Sequence, residues 1–323
     1  MTVETRRVGP EAAAEVLAVV RAAFADRPVL DPPADALAET EETIAGLLAP
    51  GGGLLMVDDG HPVGAVVLDP GGDGGDTVYL RRFGIDPSAR GRGLARDLVR
   101  AGLLAAGRAG AARVVILARE ELPRTVAFWR DMGFVETARH APYVEMARPA
   151  PVVIEVPTAD AMRELGRGLA GRLTAGDVLV LSGELGAGKT TFTQGLGEGL
   201  GVRGAITSPT FVIARVHPSL GEGPELVHVD AYRLGGRAEL DDLDLDADLD
   251  EAVTVVEWGS GLAEGLAESR LEVRITRAAG QDAADAPGAD REGDPRVVEL
   301  AALGPRWLAA PGLTPRPSPG GSR

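Results

Sequence analysis

The chain has 323 residues, 45% of them hydrophobic, with a net charge of −15, and a length near twice the ~150 residues of an ordinary domain predicts two domains. There is no cysteine and only four histidines, which excludes disulfides, thiolate metal sites and cysteine nucleophiles and makes a zinc site a poor reading. No apolar run reaches the ~18 residues that span a bilayer, and the opening MTVETRRVGP lacks the apolar stretch of a secretory signal, so a soluble, cytoplasmic protein without membrane contact is expected.

The first half alternates strands and helices. A strand is predicted over Val3–Val8, helices over Pro10–Ala25 and Pro33–Leu48, and strands over Gly53–Val57 and Pro62–Leu68 with a turn at Asp59-Gly60. After the flexible turn Gly71–Asp76 come a longer strand (Thr77–Ile85), a helix (Leu94–Gly107), a strand (Arg113–Ala118) and a helix (Leu122–Met132). Two last strands lie near Phe134–Thr137 and Tyr143–Met146, and Arg148–Pro151 reads as a linker.

The second half opens with a strand at Val152–Val156 and a helix running from Thr158 or Asp160 to Leu173. Asp177–Leu181 is apolar in the manner of a buried parallel strand. Further strands are predicted at Phe211–Val216, Leu226–Val229, Val253–Val256, Leu271–Ile275 and Val297–Leu300. The acidic run Glu239–Glu251 lacks the turn glycine of a calcium loop and reads as a solvated acidic face. Ala278–Pro295 reads as an extended loop, and Pro305–Arg323, rich in Pro and Gly, as a disordered tail.

Charge and composition add two constraints. Residues 1–148 carry 17 basic against 21 acidic side chains, and residues 149–323 carry 16 against 27. Such a surface repels phosphodiester backbones, so any RNA this protein serves is expected to be held by a partner. Of the 33 basic residues one is lysine, Lys189, and there is no asparagine. A chain that uses arginine by default and keeps one lysine points to a need for a compact ammonium at that position.

Lys189 lies in a phosphate loop. LVLSGELGAGKTT, Leu179–Thr191, fits G-x-x-x-x-G-K-[ST] at Gly183, Gly188, Lys189 and Thr190, after an apolar strand and before a helix. Backbone amides from Gly183, Glu184, Leu185, Gly186, Ala187 and Gly188 would curl toward phosphate oxygens, and the helix start at Lys189, Thr190 and Thr191 would add its positive end. Lys189 would reach the β- and γ-phosphates, and the Thr190 hydroxyl would bind Mg²⁺. VTVVEW puts Glu257 at the end of an apolar strand, where a P-loop fold needs a carboxylate for the magnesium shell. An Asn-Lys-x-Asp guanine reader is impossible without asparagine or a second lysine, so ATP is favoured over GTP.

Four motifs in order, GELGAGKTTF (Gly183–Phe192), SPTF (Ser208–Phe211), HVDAYRL (His228–Leu234) and VVEWG (Val255–Gly259), make residues 152–300 resemble the TsaE family of tRNA threonylcarbamoyladenosine (t6A) biosynthesis ATPases. The resemblance implies a P-loop fold with a mostly parallel sheet and weak Mg-dependent ATP hydrolysis. It also implies work beside a TsaB–TsaD pair, which acts on tRNA, so that tRNA is reached only through partners. Catalytic roles are implied for Lys189, Glu257 and Asp230, the last orienting water. Thr210 is placed to sense the γ-phosphate. Tyr232 and Trp258 read as core aromatics or partner contacts, and Arg233 as a phosphate, partner or salt-bridge residue.

FGIDPSARGRGLARDLV, Phe83–Val99, resembles the signature of the GCN5-related N-acetyltransferases (GNAT), with [QR]-x-x-G-x-[GA] filled by Arg90, Gly93 and Ala95, and AFWRDMGF (Ala127–Phe134) matches that family's later helix–turn–strand segment. The resemblance implies acetyl-CoA bound along Phe83 and Ile85, with its pyrophosphate on Arg90, Gly91, Arg92, Gly93, Leu94 and Ala95. Trp129 stands where many members place a proton-donating tyrosine, and indole has no usable acidic proton. Tyr79 or a bound water would have to substitute. An active acetyltransferase for an unknown acceptor and an acetyl-CoA-binding module without chemistry both stand.

The expected fold class is therefore α/β throughout. Residues 1–148 form a GNAT-like mixed sheet with flanking helices, residues 149–303 a P-loop NTPase domain with a mostly parallel sheet, and residues 304–323 a tail. A small-molecule phosphotransferase, or a non-catalytic sensor of ATP and acetyl-CoA, are the competing functional readings.

Overall fold

The computed structural model describes residues 3–71, 76–209, 213–233, 239, 250–259, 266–277 and 295–309. The predicted loop at 278–294, most of the acidic run and the end of the tail lie outside these residues. The chain divides into two compact units, Met1–Pro151 and Val152–Arg323.

The first unit is a seven-stranded sheet in the order β1-β2-β3-β4-β5-β7-β6. Its strands are β1 (Val3–Val8), β2 (Gly53–Asp58), β3 (His61–Asp69), β4 (Thr77–Ile85), β5 (Arg113–Arg119), β6 (Val135–His140) and β7 (Tyr143–Pro149). Alternation along β2 and β3 sends Leu55, Ala65 and Val67 to one face, under α1 (Ala13–Ala25) and α2 (Glu41–Gly51). Leu54, Met56, Val66 and Leu68 go to the other, under α3 (Leu94–Arg108) and α4 (Pro123–Asp131). This is what a period of two requires of a sheet covered on both faces.

Two expectations need correction here. The helix expected from Pro33 starts at Glu41, because Thr40 caps it: its hydroxyl accepts from Thr43 N at 3.2 Å while Thr43 Oγ1 accepts from Thr40 N at 2.9 Å. The expected linker at Arg148 is the end of β7. Arg148 pairs with Val114 in register, is buried, and donates to the Met132 carbonyl at 2.5 Å.

The second unit is also seven-stranded, ordered β10-β11-β12-β9-β13-β14-β8. The strands are β8 (Val152–Val156), β9 (Val178–Ser182), β10 (Ala214–His217), β11 (Glu225–Asp230), β12 (Ala252–Glu257), β13 (Arg270–Arg277) and β14 (Arg296–Leu303). The central four, β11, β12, β9 and β13, run parallel, with antiparallel strands at both edges. Leu179, Leu181, Val255, Leu271 and Val273 are fully buried there, as continuous apolar runs demand.

Helices α5 (Ala159–Ala170) and α6 (Lys189–Leu200) pack closely because glycines line their contact. A Cβ on Gly195 would run into the Arg163 carbonyl oxygen, and one on Gly166 into that of Phe192. Gly195→Ala is therefore expected to destabilise this unit by about 2 kcal/mol through overpacking, seen as a Tm loss of about 4–8 °C.

Pro305–Leu308 forms a short helix, α7, where sequence composition suggested tail. Trp307 is buried in the core, and Arg306 clamps the buried Asp177 carboxylate with bonds of 3.1 and 3.0 Å. The Pro and Gly that suggested disorder instead start and precede the helix, Pro305 at its first position and Gly304 at φ +91°. Arg306→Ala would strand the Asp177 charge, at a cost of about 2 kcal/mol in urea unfolding. Adding Asp177→Asn should recover part of that loss.

Candidate functional site

In the second unit the carboxyl ends of β9, β11 and β12 lie side by side, the place where open parallel sheets bind ligands. Register pairs Asp230 with Glu257, and Glu257 with Leu181 at the root of the phosphate loop. Three loop glycines take left-handed backbone: Gly183 at φ +152°, Gly186 at +75° and Gly188 at +108°. At Gly183 space adds to backbone, since a Cβ would meet the Ile275 carbonyl oxygen. Gly188 precedes α6 with no side-chain cap, which leaves the first-turn amides, those of Lys189, Thr190 and Thr191 among them, without intrahelical acceptors.

Lys189 is 5% exposed. Its ammonium donates to the Gly183 and Glu184 carbonyls at 2.9 and 3.0 Å. Burial pulls it below the usual lysine range, against the opposing pull of the Glu257 and Asp230 charges. Thr190 Oγ1 donates to Glu257 at 3.0 Å, joining residues 67 apart in sequence. Glu257 is 2% exposed. Asp230 accepts from Ser208 Oγ at 3.0 Å and from Tyr232 N at 3.0 Å. Thr210 lies outside the described residues.

The donor set suits magnesium. A carboxylate and a hydroxyl meet at one point with a second carboxylate on the neighbouring strand, all hard oxygens. Mg²⁺ takes one or two carboxylates and completes its shell with water and phosphate. Among the described residues no cluster of three or more His, Asp or Glu side chains is placed to hold an ion by itself.

Three contributors escaped the sequence reading. His228 is fully buried and its Nε2 lies 2.9 Å from Glu257 Oε1, which can only accept. Arg296, at the start of β14 two strands from β9, donates to the Ala187 carbonyl at 3.2 Å and so braces the loop. Trp258, read from sequence as a core aromatic or partner contact, has a left-handed backbone (φ +60°) and lays its ring 3.7 Å from the Lys189 ammonium. Tyr232, read in the same two ways, is exposed and so not a core aromatic, and it stands 5.3 Å from the Trp258 ring.

The first unit has its own cavity, of about 900 Å³. β4 and β5 pair only over Thr77–Tyr79 and Arg113–Val115 and separate beyond. A bulge in the β3–β4 pairing, with Arg82 at φ +53°, bends β4 away. Phe83, Ile85, Arg90 and Ala95 line the opening. Gly91 (φ +78°) and Gly93 (φ +82°) shape the turn into α3 and have open space where a Cβ would be. Leu94 is packed into the core. Arg90 is bonded to Asp26, and Arg92 to Asp58 at 2.5 Å, which holds the Asp58 carboxyl below the usual range. Trp129 is buried against Phe83, Phe128 and Phe134. Tyr79 and Tyr143, the two tyrosines of this unit, both line the cavity.

No helix among the described residues is long and apolar enough to cross a membrane. The family model described as "Threonylcarbamoyl adenosine biosynthesis protein TsaE" matches residues 156–284, and that of the acetyltransferase (GNAT) family matches residues 18–134. A protein of Streptomyces coelicolor named tRNA threonylcarbamoyladenosine biosynthesis protein TsaE is 65% identical over 150 residues, 46% of this chain and 95% of its own length. Its namesake in Mycobacterium bovis is 50% identical over 39% of this chain and 80% of its own. Among solved structures, an N-acetyltransferase of Thermoplasma acidophilum in complex with coenzyme A aligns with 46% of this chain and 99% of its own, at 14% identity and a TM-score of 0.41. Through its second half the chain belongs to the TsaE family, and its first half is a fused GNAT-family domain.

Proposed function

We propose that the second unit binds Mg-ATP on the phosphate loop and hydrolyses it in support of t6A formation on tRNA, working in the cytoplasm beside a TsaB–TsaD-like pair. The observation that carries this is the 3.0 Å meeting of Thr190 and Glu257 directly after Lys189 in the loop. Loop amides and Lys189 would hold the β- and γ-phosphates, Thr190 and Glu257 would hold the magnesium, and Asp230 would orient the attacking water. Magnesium would neutralise charge developing on the phosphates. His228 keeps the Glu257 carboxylate turned toward Thr190. The acidic surface suits a subunit that leaves tRNA to its partners.

The test is ATP turnover by the full chain with and without a TsaB–TsaD pair. Partner-dependent turnover is expected. A rate indifferent to the partners, together with phosphorylation of a metabolite, would overturn the reading in favour of a phosphotransferase.

For the first unit we propose acetyl-CoA as ligand and an amine as acceptor. The parted strands β4 and β5 offer unpaired backbone to a pantetheine arm, and the first-turn amides of α3 offer donors to a pyrophosphate. With Trp129 buried among phenyl rings, the proton donor to the departing sulfur falls to Tyr79 or Tyr143.

A further inference from the structure

We propose that Arg27 reads a carboxylate on the acetyl acceptor, so that the GNAT unit acts on amines carrying an acidic group. This rests on the acetyl-CoA reading just given. Six arginines and three acidic residues line the cavity, in a protein of net charge −15. Four of the arginines are already matched: Arg81 to Asp69, Arg82 to Glu39, Arg90 to Asp26 and Arg119 to Glu121. Among the described residues Arg27 has no carboxylate partner. It stacks 3.6 Å over the Phe24 ring and reaches the Phe83 carbonyl at 3.5 Å, which leaves most of its planar fork free. Burial, with Arg90 nearby, pulls its guanidinium down to about 10, so the group still carries its charge at neutral pH.

Arg27 and the coenzyme turn sit on elements of opposite sheet faces, bridged by Arg90, which bonds to Asp26 and to the Ala23 carbonyl at the end of α1. Arg27 follows α1, which covers one face of the sheet, whereas the turn at residues 90–95 leads into α3 on the opposite face. The gap between β4 and β5 connects the two sides, with the end of α1 lining the cavity together with Phe128 and Trp129 of α4. A donor lying along α3 and an acceptor entering beside α1 meet in that gap. The amine nitrogen then bonds to the acetyl carbon, the carbon–sulfur bond breaks, and the proton lost by the amine ends on the coenzyme sulfur. A carboxylate seated on Arg27 fixes the amine for that attack. A partly buried guanidinium facing a carboxylate makes two parallel charge-assisted bonds, which an amide cannot match.

The experiment uses the full chain saturated with coenzyme A. N-acetyl derivatives of the common amino acids, and the same compounds with their carboxyl converted to an amide, are titrated by calorimetry. The tightest acid should bind about tenfold or more better than its amide. Arg27→Gln should remove that preference, leave the amide and acetyl-CoA affinities within about twofold, and Arg27→Lys should restore part of it. Equal binding of acid and amide overturns the proposal, as does an Arg27→Gln variant that keeps the preference. A variant whose acetyl-CoA affinity falls in step also overturns it, since Arg27 would then serve the coenzyme. Failure of the wild type to bind acetyl-CoA sinks the reading of the unit itself and is seen before any acid is added.

Discussion

Lys189→Ala should lower ATP hydrolysis by about 100-fold or more, the loss of one preorganised cationic donor at a phosphoryl centre. The chain holds no other lysine, so no neighbour can supply an ammonium in its place. Its two present acceptors, the Gly183 and Glu184 carbonyls, hold the group inside the loop, ready to be exchanged for phosphate oxygens. Lys189→Arg is not expected to rescue. The guanidinium is larger and planar, and the site is closed by the Trp258 ring at 3.7 Å. Hydrolysis and nucleotide binding are measured on the same preparations, with far-ultraviolet circular dichroism confirming the fold. An alanine variant that keeps wild-type turnover removes Lys189 from the chemistry.

The phosphate loop was legible because its chemistry is written in consecutive residues and its glycines are forced by backbone shape, at Gly183 by a neighbouring carbonyl as well. Glu257 was legible only beside the phosphate loop, which calls for a carboxylate at the end of a neighbouring apolar strand; alone it reads as an ordinary charged strand end. His228 was not, although it stands inside a motif the sequence displays. Its partner is 29 residues away, and only the parallel register of β11 and β12 brings the two together. Arg296 is more remote still, reaching the loop across 109 residues.

The same division holds for the rest of the chain. Periodicity placed strands and helices well where a face is buried, as in α3 and in β9. It failed where one side chain decides. Thr40 sets the start of α2, Arg148 carries β7 past an apparent linker, and Trp307 and Arg306 fold a segment whose composition suggests a tail. Two motifs pointed to an acetyl-CoA site, but the cavity, the parting of β4 and β5 and the unmatched charge of Arg27 are tertiary facts. No spacing in the sequence reports that four of six arginines are already neutralised.

Glu257→Gln separates metal chemistry from folding. The side chain keeps its shape and one oxygen acceptor, so a contact to the Thr190 hydroxyl or to His228 survives, but the negative charge is gone. Mg-dependent hydrolysis should fall by about 100-fold, and half-maximal activity should need about tenfold more magnesium, because the metal loses its protein carboxylate. Nucleotide binding without metal should be little changed, since the amides and Lys189 are untouched. Stability should move the other way or not at all. Glu257 is 2% exposed, and an isosteric neutral group is cheaper to bury than a carboxylate whose hydrogen-bonding partners are a hydroxyl and an imidazole. A Tm equal to or above that of the parent, combined with the loss of metal-dependent turnover, marks a charge held in place for the metal. A Tm that falls by several degrees with the magnesium requirement unchanged would make Glu257 a structural residue of the β11–β12 pair and would require another ligand for the metal.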